Sequence, residues 1–241
     1  MDQIKLVAFD LDGTLTQHKE LLGEENRRVL DALAQRYRLV MVGAGQTQRI
    51  FRQMGGYPID IIGNYGLQYA RYDGEAEGLQ IIRDLQLPCD RGSVARRIAD
   101  LRRQFGYETF AGESVEYHPS GCVTFPLLGT KAAQADKLAF DPDRQKRRAV
   151  YDAVVQAFPE YHVFVGGSSS FDMAPRPYNK YYALDEYCRA LGLRHDQVVY
   201  VGDDYGPGGN DESVYRSDIA FITVDDYRTF GEKMAPLLGA E

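Results

Sequence analysis

The stretch LVAFDLDGTLT, residues 6–16, joins a continuous apolar run to two acids that are separated by a single leucine. Residues 4–10 are mostly apolar β-formers without polar alternation, which predicts a strand buried on both faces of a parallel sheet. Asp10 and Asp12 stand at the end of this strand. Because a buried carboxylate is strongly destabilising unless a cation or hydrogen bonds compensate it, the stretch predicts a charged site as well as a fold.

Predicted strands and helices alternate around this stretch. The strands are at 4–10, 37–43 and 59–64, and the helices at 22–36 and 46–54. A helix at 180–193 and strands at 197–204 and 219–224 resume the same alternation near the end of the chain. This order predicts an α/β fold with a doubly wound, mainly parallel sheet.

The middle of the chain has a different pattern, which begins after a hairpin about Asp73 and Gly74. Helices are predicted at 91–105 and 143–157, and pairs of strands at 114–128 and 161–175. Because these strands follow one another across turns, we expect an antiparallel α+β domain inserted into the first one. We therefore predict a core formed by residues 1–82 and 177–241, with an inserted domain at 83–176.

Composition narrows the class of protein. The 241 residues carry a formal net charge of −7 and are 44% hydrophobic, as expected of a globular protein that does not bind nucleic acid or an anionic membrane. The three cysteines are widely spaced, which indicates free thiols in a reducing compartment. The first residues have no signal-peptide pattern and no apolar run is long enough to span a membrane, so we expect a cytoplasmic protein.

Acids end a second predicted strand as well, because Asp203 and Asp204 follow the apolar run of residues 197–202. Ligands of open α/β sheets bind at the carboxyl ends of the strands, where these acids and Asp10 and Asp12 would converge. Converging carboxylates repel one another unless a cation neutralises them, and ligation by oxygen alone suits Mg²⁺. The alternative is that Asp10 and Asp12 only cap a helix or form a turn.

The motif FDLDGTLT, followed far downstream by Lys180 and VGDDYGPGGND, resembles the haloacid dehalogenase-like phosphotransferase superfamily. The resemblance implies that Asp10 is a nucleophile that forms an aspartyl phosphate, and that Asp12 is the general acid and then the general base. It also implies a catalytic role for Lys180. It further implies a Mg²⁺ site formed by Asp10, the backbone carbonyl of Asp12 and Asp203, supported by Asn210 and Asp211.

Three longer segments, residues 114–129, 166–187 and 201–226, resemble eukaryotic-type phosphomannomutases. The inserted domain corresponds to the α/β cap of that family, in which arginines grip the distal phosphate of a sugar bisphosphate. At the corresponding positions this chain has Lys19, His118, Thr130 and Lys137. Lysine keeps the charge but loses the bidentate fork of arginine, and threonine loses both, so this grip is weaker.

Two further features concern phosphate and sugar binding. Ala44 and Gly45 stand where the resembled family has a serine or threonine, so we expect backbone amides of residues 43–45 to bind phosphate in its place. Thr47 could also turn in to supply a hydroxyl. Ser170 and Asp172 alternate on one predicted strand, and such a pair can bind sugar hydroxyls or simply form a polar outer face.

These observations predict a Mg²⁺-dependent phosphoryl-transfer enzyme that acts on a small phosphorylated substrate, a sugar or polyol phosphate. The weakened grip favours water as the acceptor and hence a phosphomonoesterase. One alternative is a phosphomannomutase or related phosphohexomutase that uses Lys19 and Lys137. A second alternative, motivated by the missing hydroxyl at Gly45, is a non-catalytic relative that only binds sugar phosphates. The resemblance is also compatible with a homodimer.

Overall fold

The structure, a computed structural model, describes residues 3–239. Eleven strands are described there: β1 Leu6–Phe9, β2 Arg38–Val42, β3 Asp60–Gly63, β4 Gln68–Asp73, β5 Gly78–Asp84, β6 Glu116–Tyr117, β7 Val123–Pro126, β8 Tyr161–Phe164, β9 Ser170–Pro175, β10 Val198–Gly202 and β11 Ala220–Thr223. The α-helices of the same part of the chain are α1 Glu24–Ala34, α2 Thr47–Gln53, α3 Arg91–Phe105, α4 Gln134–Phe140, α5 Gln145–Ala157, α6 Lys180–Leu191, α7 Glu212–Tyr215 and α8 Phe230–Leu238.

The chain forms two compact units. The first comprises residues up to Asp84, Asn179–Gly206 and residues from Asp211 onward; the second comprises Leu85–Tyr178 and Pro207–Asn210. The short segment 207–210 is the part of this division that the sequence pattern does not indicate. No helix within residues 3–239 is long and apolar enough to cross a membrane.

The first unit is built on a seven-stranded sheet in the order β11-β10-β1-β2-β3-β4-β5. The first five strands of this order are parallel, and β4 and β5 add an antiparallel hairpin at one edge. The predicted doubly wound, mainly parallel fold is therefore confirmed. The strand β1 has parallel neighbours on both sides. Its carboxyl end therefore lies near the middle of the sheet edge that the carboxyl ends of the parallel strands form, where ligands bind in such folds.

Both faces of this sheet are covered by helices, which explains the unbroken apolar run of β1. Val7 and Phe9 belong to a core that also contains residues of α1, α2 and α8. Leu6 and Ala8 belong to a second core, which contains Leu184 and other residues of α6. Because successive residues of a strand point to opposite faces, all four must be apolar.

The second unit has a four-stranded antiparallel sheet in the order β6-β7-β9-β8. Its buried core brings Val94 and Ile98 of α3 and Val154 of α5 together with Phe125 and Phe171 of the sheet. The predicted helices and strand pairs of this region are present, with ends that differ by a few residues. The α+β character expected of the inserted segment is thus observed within this unit.

Three helices, α4, α7 and α8, were not predicted from the sequence, and α7 is only four residues long. No residue of α4 is buried, so its sequence carries no apolar periodicity that would indicate a helix. The sequence of α8 contains Gly231 and Pro236, which ordinarily interrupt a helical pattern. Packing of Phe230, Met234 and Leu237 into the core stabilises α8 in spite of its low propensity.

One ionisable cluster of the first unit predicts a pH dependence of stability. The ring of His195 lies between two carboxylates, with Nδ1 2.7 Å from Asp218 and Nε2 3.1 Å from Asp185. Burial opposes the charged ring, but the two carboxylates outweigh it and raise the pKa of His195. The stabilisation is therefore complete below the pKa of an unfolded histidine, about 6.5, and is lost as the pH rises through the raised pKa of the folded protein.

We accordingly expect His195→Gln to lower the free energy of unfolding more at about pH 6 than at about pH 9, measured by urea denaturation. The comparison of variant with wild type at each pH removes contributions from other titrating groups. An equal difference at the two pH values would contradict the proposed charge of the ring.

Candidate active site

Asp10 lies directly after β1, and its backbone amide donates a hydrogen bond of 2.9 Å to the carbonyl of Val201 in β10. The residue is 5% exposed, and its Oδ1 lies 2.7 Å from Nζ of Lys180. Lys180 is the first residue of α6, whose start is fixed by the side chain of Asn179 accepting a hydrogen bond from the amide of Tyr182 at 2.8 Å. The cap fixes the residue at which α6 begins, and so it fixes the position of Lys180, whose ammonium is buried.

Asp203 is brought beside this pair by the loop that follows β1. Oγ1 of Thr14 donates a hydrogen bond of 2.8 Å to Oδ1 of Asp203. Gly13 has φ +100°, and a Cβ on it would stand 2.4 Å from Oδ2 of Asp203. Only glycine combines this backbone conformation with so close an approach, so the Asp-Gly-Thr part of the motif positions the carboxylate of Asp203.

Asp211 accepts hydrogen bonds on both oxygens of its buried carboxylate. Oδ1 accepts from Nζ of Lys180 at 2.7 Å and from the hydroxyl of Tyr200 at 2.5 Å. Oδ2 accepts from the amides of Asp203 and Asp204, at 3.2 and 3.0 Å. Such a carboxylate is suited to holding Lys180 and the loop after β10 in place rather than to binding a metal ion directly.

The charges of this cluster do not balance. Carboxylate oxygens of Asp10, Asp203 and Asp211 lie within 4.8 Å of one another, and Lys180 is the ammonium in contact with two of them. Burial and the neighbouring carboxylates raise the pKa of Asp10 well above its usual range, although Lys180 opposes this. Burial and Asp211 likewise raise the pKa of Asp203 to about 6. A divalent cation would remove this repulsion, so the all-oxygen donor set fits Mg²⁺.

The side chain of Asp12 points to a different set of partners, on and beside α2. Its Oδ1 accepts hydrogen bonds from the backbone amide of Lys19 at 2.7 Å and from Nε2 of Gln53 at 2.6 Å. Burial alone would raise the pKa of Asp12, but these hydrogen bonds and the nearby side chains of His18 and Arg49 outweigh it and lower the pKa. The two acids of the motif therefore lie in opposite electrostatic environments.

In the loop before α2, one backbone amide that was predicted to bind phosphate is already hydrogen bonded within the sheet. The amide of Gly43 donates to the carbonyl of Ile62 at 2.9 Å, within the sheet, so the prediction that this amide binds phosphate is wrong. The amide of Thr47 donates to Oε1 of Gln68 at 3.1 Å and is also engaged. Gly45 lies between them, and its carbonyl accepts a hydrogen bond from the amide of Asn64 at 2.8 Å.

The remaining predicted residues lie in the second unit, apart from the exposed Lys19. Nζ of Lys137 donates to the backbone carbonyl of Thr130 at 3.1 Å. Oγ of Ser170 donates to the carbonyl of Gly166 at 3.1 Å, and Asp172 accepts a hydrogen bond of 2.9 Å from Thr124. Asn210 belongs to the segment 207–210 of this unit.

His118 completes a short chain of hydrogen bonds in the second unit, because its Nε2 lies 3.0 Å from Oγ1 of Thr124. Since Thr124 donates its one hydroxyl proton to Asp172, Nε2 of His118 must be the donor to Thr124. Burial raises the pKa of Asp172, while the hydrogen bond from Thr124 opposes this shift.

Four residues of the first unit that contact predicted site residues were missed from the sequence: Thr14, Arg49, Gln53 and Tyr200. Thr14 could have been found, since it is part of the Asp-Gly-Thr motif. Arg49 and Gln53 are four apart on α2 and so share one face of the helix, but nothing in the sequence says that this face meets Asp12. Tyr200 lies inside an apolar strand and gives no separate signal.

Comparison with known proteins finds similarity over most of the chain. A sequence model described as eukaryotic phosphomannomutase matches residues 109–227. The phosphomannomutase of Saccharomyces cerevisiae is 26% identical over 219 residues, which cover 87% of this chain and 84% of the relative. The phosphomannomutase of Triticum aestivum is 26% identical over 225 residues, which cover 88% of this chain and 86% of the relative.

Solved structures share the fold at lower sequence identity. A phosphatase of the haloalkanoate (HAD) enzyme superfamily from Bacteroides thetaiotaomicron is 17% identical with a TM-score of 0.65, covering 98% of this chain and 96% of that one. An IMP-nucleotidase of Plasmodium falciparum is 12% identical with a TM-score of 0.73, covering 100% of this chain and 72% of that one. These matches agree with the α/β fold described above.

The buried ammonium gives a direct test of the cluster. We expect Lys180→Met to destabilise the protein by about 3–5 kcal/mol in urea denaturation, because it leaves buried carboxylates without their cation. Lys233→Met, which removes an exposed lysine of α8, should change the free energy of unfolding by less than about 0.5 kcal/mol. Equal effects of the two substitutions would show that Lys180 does not stabilise the cluster.

Proposed function

We propose that the chain, which is similar to phosphomannomutases and shares the fold of haloacid dehalogenase superfamily phosphatases, transfers phosphoryl groups of sugar phosphates through Asp10. The observation that carries the proposal is the contrast between two acids of one motif. Asp10 is buried beside Lys180 in a cluster of carboxylates, whereas Asp12 is held apart by donors from α2 and residue 19. The contact with Lys180 keeps the nucleophile beside its cation, and the separate position of Asp12 keeps proton transfer outside the cluster of carboxylates.

The first step is attack of a carboxylate oxygen of Asp10 on phosphorus. The bond between phosphorus and the leaving oxygen breaks, and Asp12 gives a proton to that oxygen; Asp12 takes up this proton when the phosphate dianion of the substrate binds beside it and raises its pKa. In the second step a hydroxyl group attacks the aspartyl phosphate, Asp12 takes the proton from it, and the carboxylate of Asp10 is released. Asp12 therefore ends the cycle in the state in which it began.

Lys180 assists the first step by charge alone. Its ammonium stays charged, because the carboxylates of Asp10 and Asp211 raise its pKa in spite of burial. A fixed cation in a dry environment stabilises negative charge that grows as the phosphoryl group is transferred. Tyr200 and the amides of residues 203 and 204 hold Asp211, and Asp211 in turn holds the ammonium.

Mg²⁺ would be held by the carboxylates of Asp10 and Asp203 and the backbone carbonyl of Asp12. When bound, the ion screens the repulsion between a carboxylate and a phosphate and stabilises charge on the phosphoryl oxygens. Asp211 and Asn210 are assigned a supporting role, in agreement with the hydrogen bonds that saturate the carboxylate of Asp211.

The identity of the accepting hydroxyl distinguishes a mutase from a phosphatase. The relatives described above are named phosphomannomutases, and the matching sequence model describes the same family. These similarities favour the mutase, the alternative of the sequence analysis, over hydrolysis. We therefore propose a phosphohexomutase that exchanges the phosphoryl group between two hydroxyls of a hexose by way of a bisphosphate.

A sugar phosphate phosphatase is the second candidate, and the composition of the expected grip favours it. Thr130 carries no charge, and Nζ of Lys137 is hydrogen bonded to the carbonyl of Thr130. Lys19 is exposed, and a lysine there lacks the bidentate fork of arginine. Ser170 and Asp172 supply a hydroxyl and a carboxylate for sugar hydroxyls in either case. A non-catalytic sugar phosphate-binding role is less well supported, because Asp10, Asp12, Lys180 and Asp203 are all present.

The proposal is tested with purified protein and Mg²⁺. Wild type should hydrolyse an activated aryl phosphate, and Asp10→Asn should lower kcat by at least about 10³-fold because it removes the nucleophile. Thermal unfolding of the variant serves as the control for folding. Wild type without turnover on a broad panel of phosphate esters, and without a Mg²⁺-dependent rise in Tm, would overturn the enzyme proposal.

The same preparation separates the two candidate functions by product. A mutase interconverts hexose 1-phosphate and hexose 6-phosphate when a hexose bisphosphate is added, measured by a coupled assay. A phosphatase instead releases inorganic phosphate from the hexose phosphate, at a rate equal to or greater than any interconversion of the two hexose phosphates. Phosphate release without isomerisation would contradict the mutase proposal and leave phosphoryl transfer through Asp10 intact.

The role of Asp12 is tested by varying the leaving group. Asp12→Ala should lower kcat/KM for sugar phosphates by about 10²–10⁴-fold, and much less for an activated aryl phosphate, whose leaving oxygen needs no proton. The ratio of the two rates is measured in one preparation, so differences in folding cancel. An equal loss on both substrates would exclude Asp12 as the general acid.

A further inference from the structure

The guanidinium of Arg49 occupies the space that a side chain of residue 45 would fill. A Cβ built on Gly45 would stand 2.6 Å from both Nε and Nη2 of Arg49, which is closer than atoms can approach without one of them moving. Gly45 has no left-handed backbone conformation to explain the glycine. The absence of a side chain at Gly45 therefore makes room for the guanidinium.

The side chain of Arg49 is hydrogen bonded to its neighbours and is still partly exposed to solvent. Its Nη1 donates to Oε1 of Gln53 at 3.1 Å, and its Nη2 lies 3.4 Å from Oδ2 of Asp12. The side chain of Arg49 is nevertheless 42% exposed. A guanidinium held at this position beside Asp12 can still receive an incoming anion through its remaining N–H groups.

The site otherwise has few donors for a phosphoryl group. Lys180 is 0% exposed and is divided between Asp10 and Asp211. In the loop before α2, the amides of Gly43 and Thr47 are taken by Ile62 and by the side chain of Gln68. A dianionic phosphoryl group that comes beside Asp10 and Asp12 needs a cation with free donors, and Arg49 supplies one.

We propose that Arg49, whose guanidinium lies in the space that Gly45 leaves open, binds the non-bridging oxygens of the phosphoryl group during its transfer. This inference rests on the proposed function. The planar fork of arginine matches two oxygens of a phosphate, which a single hydroxyl at residue 45 could not do. Arg49 would thus bind the phosphoryl group of the substrate through a side chain of α2, and not through backbone amides at the start of that helix.

The proposal makes Gly45 and Arg49 partners, which four variants test. The variants are Arg49→Met, Arg49→Lys, Gly45→Ala and the double variant Gly45→Ala/Arg49→Met. Arg49→Met should lower kcat/KM for an aryl phosphate by about 10²–10³-fold, because it removes a donor to the transferring group. Arg49→Lys should recover part of this loss, since it restores the charge without the fork.

Gly45→Ala should lower kcat/KM in the same direction, because its methyl group displaces the guanidinium. The displaced atoms are the far end of a flexible side chain, so this variant should fold normally. The double variant should be no worse than Arg49→Met alone, because the two changes remove the same interaction. Additive losses would mean that Gly45 and Arg49 act separately and would overturn the partnership.

Binding of orthovanadate in the presence of Mg²⁺, measured by calorimetry, gives a readout that does not need turnover. Arg49→Met should weaken this binding at least about tenfold, which a residue that only orients Asp12 would not do. Arg52→Met, which removes an exposed arginine one turn along α2, is the matched control and should bind as wild type does. Unchanged orthovanadate binding and kcat/KM in Arg49→Met would overturn the proposal.

The outcomes also separate this inference from the proposed function. Failure of the proposed function appears as wild type without turnover, or as turnover that survives Asp10→Asn. Failure of the inference appears as an active, Asp10-dependent wild type whose Arg49→Met variant is equally active and binds orthovanadate equally well.

Discussion

The ion pair between Lys180 and the carboxylates of Asp10 and Asp211 is the contact on which the rest of the site depends. Lys180 is fully buried, and its Nζ lies 2.7 Å from an oxygen of each acid. Three segments that are far apart in sequence must meet there: the end of β1, the start of α6 and the loop after β10. A buried charge of this kind is tolerated only when every partner is in place, so the parallel order of β1 and β10 and the cap of α6 are requirements of the site.

The same constraint explains why the two acids of one short motif differ. Asp10 stands among carboxylates, where burial and repulsion raise its pKa, and where a divalent cation would be favourable. Asp12 is turned to donors from Lys19 and Gln53, which lower its pKa. The turn at Gly13 lies between these environments and brings Asp203 to the first of them. On the proposed function, the motif thus places a metal-binding nucleophile and a separate proton-transfer group within three residues.

The fold and the outline of this cluster could be predicted from the sequence because both depend on local patterns. Apolar runs that end in acids indicate buried strands with their carboxyl ends at one edge, and Lys180 follows from its place in the resemblance. The sequence could not show that Asp211 is saturated by donors, that the amide of Gly43 belongs to the sheet, or that Gly45 makes room for Arg49. Each of these is a contact between segments distant along the chain, and side-chain periodicity carries no information about it. The helix α4 was missed because none of its residues is buried, and α8 because Gly231 and Pro236 interrupt its helical pattern.

The proposed phosphoryl transfer through Asp10 unites these features, and the chemical nature of the intermediate tests it most directly. Protein that is mixed with Mg²⁺ and a phosphate ester, quenched rapidly and reduced with borohydride can be digested and analysed by mass spectrometry. The account predicts homoserine at position 10, formed when borohydride reduces the aspartyl phosphate and releases inorganic phosphate, and no such product in Asp10→Asn. Modification of a different residue, or rapid turnover by wild type without any modified Asp10, would contradict it.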